Sequence, residues 1–170
     1  HRIAWMGKTP WVLLVGLMSV TFSWVAGVRI HMYGPIWVFY LTMLVTLTDI
    51  GAYFVGSHFG KHLLCPSISP KKTWEGFFGG IVVGFLTGIL ISQFMGLDFT
   101  GMRHLALLSL VVILSAVVGD LSQSLLKRCC DMKDSGDLLP GHGGVWDRLD
   151  SLVVGAPVFF YLMPYVTQGG

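Results

Sequence analysis

Apolar runs of bilayer length recur five times along the chain, and no other feature restricts its fold so severely. They cover Trp11 to Val28, Ile36 to Val55, Phe77 to Phe94, Leu105 to about Leu126, and a shorter Leu152 to Val166. A helix needs roughly 17–25 such residues to cross the hydrocarbon core. In lipid every backbone polar group must be bonded internally, so a spanning run is either a helix or a strand of a closed barrel. The two-residue alternation of a barrel strand is missing from these runs, which leaves helices. The fifth run should bend at Pro157 and stop near Pro164. A water-soluble bundle would need far more polar surface: hydrophobic residues make up 54% of the chain and charged residues 12%, about half the charged share of a soluble domain. The sequence therefore predicts an all-α, polytopic integral membrane protein, a bundle of about five transmembrane helices forming a single domain over residues 1–170. It opens at His1 with neither Met nor the charged segment of a signal peptide, and is expected to be part of a longer chain.

Orientation follows from the basic residues, which concentrate on the cytoplasmic side of membrane proteins. With five spans, Arg2, Lys8, Lys61, Lys71, Lys72, Lys127, Arg128, Lys133 and Arg148 fall on one side, nine in all, against Arg29 and Arg103 on the other. The second and fourth loops are thus expected in the cytoplasm. The formal net charge of +2 is too small to point to a nucleic-acid partner. Cys65, Cys129 and Cys130 form no metal-ligand spacing, and adjacent cysteines bridge only with strain, so all three are read as reduced. Gly76, Gly80, Gly84 and Gly88 recur every four residues and mark one face of the third span as a close-packing seam, within the protomer or across a homodimer.

Two acids lie inside apolar runs. An ionised carboxylate in the membrane is costly and marks either function or a buried pair. Asp49 lies nine residues before His58, and Asp120 seven before Lys127, which puts them ~13 Å and ~10 Å below the cytoplasmic helix ends at 1.5 Å per residue. Asp120, Gln123, Ser124 and Lys127 share one helix face by their spacing. A polar cavity open to the cytoplasm is the economical reading.

That face leads out of the membrane into the stretch Ser124 to Asp150, which packs five of the nine carboxylates and four of the eleven Lys and Arg into 27 residues. The glycines around His142 let backbone N–H groups approach an anion. Lys127, Arg128, Lys133 and Arg148 supply positive charge suited to phosphate. Asp120, Asp147 and Asp150 are hard oxygen donors of the kind Mg²⁺ takes in phosphoryl chemistry. Acids for a metal beside bases for phosphate suggest a nucleotide-handling site, although a mixed charged loop is more often a solvated one.

The stretch resembles, without departure, the signature of the phosphatidate cytidylyltransferase, or CDP-diacylglycerol synthase, family. The matching positions are Ser124, Leu126, Lys127, Arg128, Lys133, Asp134, Gly136 and Leu139, then Pro140, His142, Gly143, Gly144, Val145, Asp147, Arg148, Leu149 and Asp150. TDIGAY at Thr48–Tyr53 and SPKKTWEG at Ser69–Gly76 are similar to two further elements of the family, so the resemblance covers roughly residues 36–155. It implies the C-terminal portion of such an enzyme, with CTP and phosphatidic acid as substrates. The reaction gives CDP-diacylglycerol and pyrophosphate in phospholipid biosynthesis, at the cytoplasmic face of the inner or plasma membrane in a bacterium. It further implies Mg²⁺ between Asp120 and Asp147, with a second metal ion left open, and Ser124 nearby. Lys127, Arg128 and Arg148 are assigned to phosphates of CTP or lipid, with Lys127 and Asp150 in the catalytic group and Asp150 supporting Arg148 or the metal. Lys133, His142, Lys71 and Lys72 complete the expected substrate contacts. Two rivals remain at this stage. A CTP-dependent lipid kinase would release CDP instead of pyrophosphate. An ion-coupled transporter would also use membrane acids, but these spans show no inverted repeat.

Overall fold

The computed structural model describes residues 9–66, 69–96, 99–129 and 146–167. Among them the chain forms five helices: α1 (Thr9–Tyr33), α2 (Pro35–Phe59), α3 (Trp74–Phe94), α4 (Phe99–Cys129) and α5 (Trp146–Thr167). A hairpin of β1 (Leu63–Cys65) and β2 (Ser69–Thr73) lies between α2 and α3. Four apolar stretches are long enough to cross a membrane: Leu14–Tyr33, Pro35–Phe59, Trp74–Phe94 and Thr100–Leu125; Ser151–Tyr165 is a shorter apolar helix. Large apolar side chains such as Trp24, Met32, Phe94 and Tyr161 are exposed, a surface suited to lipid rather than water. The protein is an all-α polytopic membrane protein, as its apolar runs require.

The turn between α1 and α2 uses one residue. Gly34 has φ +136°, a conformation closed to residues with a Cβ. Its N–H donates to the His31 carbonyl at 3.0 Å, and its own carbonyl accepts from Trp37 N–H at 3.1 Å. Pro35 follows at the first helical position, where its fixed φ suits the helix and its missing N–H leaves nothing unsatisfied.

α2 packs most extensively on α3, and α4 on α5. The glycine stripe explains the first contact. A Cβ on Gly76 would lie 2.7 Å from the Ala52 carbonyl oxygen, and one on Gly80 would lie 3.0 Å from the Thr48 carbonyl oxygen. Further along, a Cβ on Gly88 would meet Ser109 Oγ at 2.7 Å and Tyr40 Oη at 3.0 Å. Gly76, Gly80, Gly84 and Gly88 are all buried, so the seam is spent within the protomer and a homodimer, if formed, uses another face.

The apolar core gathers Ile30, Tyr40, Leu44, Leu105, Val112, Ile113, Phe159 and Met163. Trp37, Tyr40 and Phe159 form an aromatic cluster with ring centroids 5.8–6.4 Å apart. These residues occupy the half of the bundle nearer Gly34. The other half, nearer the hairpin, is not filled in this way.

Two details differ from the sequence reading. α5 does not stop near Pro164 but continues to Thr167, as membrane helices can when neighbours and local adjustments accommodate the lost hydrogen bond. The hairpin was not expected from the apolar runs. Leu63 pairs with Thr73 and Cys65 with Ser69, with an irregularity between them. Its base is pinned to the start of α3: Trp74 N–H donates to the His62 carbonyl at 2.9 Å, and His62 N–H donates to Glu75 Oε2 at 3.2 Å. The His62 Nδ1 and Glu75 Oε1 are 2.7 Å apart. Thr73 caps α3, its Oγ1 accepting from Gly76 N–H at 3.2 Å.

Candidate active site

The unfilled half of the bundle holds a cavity of about 590 Å³. Thr48, Asp49, Ala52 and Tyr53 of α2 form one wall, and Lys71, Lys72 and Thr73 of β2 form another. Gly76 and Phe77 of α3, Val117 and Asp120 of α4, and Ser151 of α5 close it. The glycine seam makes this shape. Side chains cannot grow from Gly76 and Gly80 toward α2, so both positions line the cavity with backbone.

Its charged centre is an ion pair between Lys72 Nζ and Asp120 Oδ2. The two side chains are 29% and 22% exposed, so each is largely withdrawn from solvent and neutralised by the other. On the α2 wall Ser151 Oγ donates to Asp49 Oδ2 at 3.3 Å. Two carboxylates from different helices thus line one cavity, consistent with the similar depths that helical rise gives them. Lys71 is exposed, whereas Lys72 is half-buried.

The other expected site residues divide by position. Ser124 is half-buried on α4, one turn beyond Asp120, and Gln123 is buried; neither lines the cavity among the described residues. Lys127 and Arg128 lie in the last turn of α4, and Asp147, Arg148 and Asp150 within the first five residues of α5; their side chains lie outside the described residues. So do Lys133 and His142 entirely. Asp147 precedes Ser151 by four residues and therefore occupies the same face of α5. Sequence reasoning did not single out Ser151, Thr48 or Tyr53 as wall residues. Thr48 and Tyr53 flank Asp49 in TDIGAY, but nothing local marks Ser151, which meets Asp49 from 102 positions away.

Two carboxylates with the side-chain oxygens of Thr48, Ser69 and Ser151 around one cavity form a hard-oxygen donor set, the chemistry that Mg²⁺ takes. Among the described residues no group of three His, Cys, Asp or Glu converges tightly enough to hold a metal without further ligands. The described donors fit a Mg²⁺ that keeps part of its water shell or takes a ligand from elsewhere.

TDIGAY, SPKKTWEG and the approach to the charged stretch come from α2, β2–α3 and α4, and all three border this cavity. A profile of the cytidylyltransferase family matches residues 4–166. The chain belongs to the cytidylyltransferase family. It is similar to the phosphatidate cytidylyltransferase of Haemophilus influenzae, 37% identical over 171 residues, with 94% of this chain and 59% of the relative covered. It is 42% identical over 135 residues to that of Bacillus subtilis, covering 79% of this chain and 50% of the relative. With that of Staphylococcus epidermidis it shares 36% identity over 163 residues, 96% of this chain and 62% of the relative. The chain thus spans less than two thirds of the length of each of these relatives. The match takes in all five helices and the hairpin, and so every element that lines the cavity.

Proposed function

We propose that this chain carries the catalytic portion of an enzyme that transfers CMP from CTP to phosphatidic acid, giving CDP-diacylglycerol and pyrophosphate. The observation that carries the reading is the cavity, in which an acid of α4 and a base of β2 meet at the end of the bundle toward which the basic residues gather. The names of the relatives point to the same reaction. The nine-to-two distribution of basic residues supports a cytoplasmic opening, where CTP is available, while the membrane supplies the lipid.

In this reaction a phosphate oxygen of phosphatidic acid attacks the α-phosphorus of CTP. A new P–O bond forms, the bond to the bridging oxygen of the β-phosphate breaks, and pyrophosphate leaves with that electron pair. The protein's task is positioning and charge stabilisation. Lys127, Arg128 and Arg148, with Lys133 and His142, hold phosphates of CTP and lipid, and Lys71 approaches the same phosphates from β2. Asp120 and Asp147 would hold Mg²⁺, with Asp150 supporting Arg148. When bound, the cation neutralises charge on the triphosphate and the leaving pyrophosphate. Asp120 is partly withdrawn from water at the cavity wall, which strengthens the contacts it makes there.

The test uses membranes containing the full-length protein, labelled CTP, phosphatidic acid and Mg²⁺. CDP-diacylglycerol and pyrophosphate in equal amounts are expected. Release of CDP with a phosphorylated lipid would replace this reading with a lipid kinase, and no turnover of CTP would remove it.

A further inference from the structure

The ion pair at the heart of the cavity poses a conflict. Asp120 is one of the acids proposed above to hold a divalent cation, yet its carboxylate is already engaged by Lys72. A carboxylate this withdrawn from water is costly to leave uncompensated. A lysine ammonium is a compact point charge on a flexible four-carbon stem, so it can neutralise the carboxylate and still move away without moving the backbone. Lys72 sits on β2, and the hairpin base is held to α3 through His62, Trp74 and Glu75. The strand therefore presents the ammonium from a fixed anchor.

We infer that Lys72 is the built-in counter-ion of Asp120, occupying the carboxylate until a divalent cation displaces it. The inference rests on the proposed assignment of the cation to Asp120. Lys72 is then a positioning residue: it holds the Asp120 carboxylate in place in the cation-free protein, and its release on cation binding frees a positive charge on the cavity wall. The released ammonium is available to a phosphate of the incoming nucleotide, so cation and nucleotide reinforce each other. Cation affinity is correspondingly weakened, because binding competes with the ion pair. If the pair is closed about nine-tenths of the time, the apparent dissociation constant is raised about tenfold over that of the open site.

The probe is Mn²⁺, followed by electron paramagnetic resonance on the purified full-length protein without nucleotide, beside thermal unfolding in chelator and in saturating Mg²⁺. Lys72→Gln should bind Mn²⁺ about tenfold more tightly than the parent. It should also melt lower in chelator and regain more stability from Mg²⁺. Lys72→Arg keeps the charge and should stay close to the parent in chelator. Lys71→Gln removes a neighbouring charge from the same strand and controls for general electrostatics. Unchanged or weaker Mn²⁺ binding by Lys72→Gln, or an equal gain in Lys71→Gln, overturns the counter-ion role. If Lys72→Gln does not fold, Mn²⁺ binding to Lys72→Arg decides: a guanidinium that forks onto the carboxylate yields less readily, so affinity should fall, and an affinity at or above the parent's overturns the role. Asp120→Asn tests the underlying assignment separately, since parental Mn²⁺ affinity in that variant would show that the cation binds elsewhere.

Discussion

Substituting two glycines with alanine should move stability in opposite directions, for reasons visible in the packing. A Cβ on Gly76 would lie 2.7 Å from the Ala52 carbonyl oxygen, a backbone atom, and 3.1 Å from Gly56 Cα. Carbon–oxygen contacts between packed backbones ordinarily sit at about 3.3–3.6 Å, so α2 and α3 must part by roughly 0.6 Å to admit the methyl group. A gap of that size forfeits about a quarter to a half of each dispersion contact along the seam, and overpacking of this kind costs about 1–3 kcal/mol. A Cβ on Gly27 of α1 meets nothing within 4 Å. There the change should be neutral or stabilise by up to ~1 kcal/mol through helix propensity. Gly76→Ala and Gly27→Ala should therefore differ by roughly 1–4 kcal/mol in reversible unfolding from detergent micelles. Gly76→Ala should also lose turnover, because Gly76 and Ala52 both line the cavity. A Gly76→Ala protein as stable as the parent would refute backbone contact between α2 and α3 at this point.

Removing charge at the proposed cation ligands should abolish nearly all CDP-diacylglycerol formation in Asp120→Asn and in Asp147→Asn while leaving folded protein. The double variant should lose little more, since either change disables the same site; near-parental turnover of either single variant across a Mg²⁺ titration removes that residue from it. For orientation, a single cysteine in place of Lys61 should react with an impermeant maleimide only from the cytoplasmic side. One in place of Arg103 should react only from the opposite side, and the reverse pattern would invert the assignment.

The membrane-spanning helices were legible because lipid imposes a long uninterrupted apolar run on each, and the seam because glycine every fourth residue has few other uses in such a helix. Asp49 and Asp120 could be assigned similar depths from helical rise alone, and both border one cavity. Their partners could not be read. Lys72 and Asp120 are 48 positions apart, and Ser151 and Asp49 102. Residue type announces a charge that needs an answer, but tertiary packing chooses which group answers it. The hairpin escaped for a different reason. Leu63–Cys65 is a three-residue strand and its partner carries Pro70, so neither shows the alternation that marks strands in sequence. Pro164 misled because its breaking effect was judged as in water, where a lost helical hydrogen bond has fewer local remedies.

The single-residue reversal at Gly34 bears on how the protein enters its membrane. α1 and α2 each hold 25 residues, about 37 Å of helix, and no tether joins them beyond that glycine. α1 therefore cannot settle across the bilayer while α2 waits in water: once the first is seated, the start of the second is already at the far surface. In the orientation proposed from the basic residues, the two segments would cross as a folded-over pair with Gly34 leading. Near that apex Arg29 is the one Lys or Arg to be carried over, which keeps the electrostatic barrier to crossing low. A longer polar linker at Gly34 would uncouple the two insertions and expose the half-made bundle to proteolysis during synthesis.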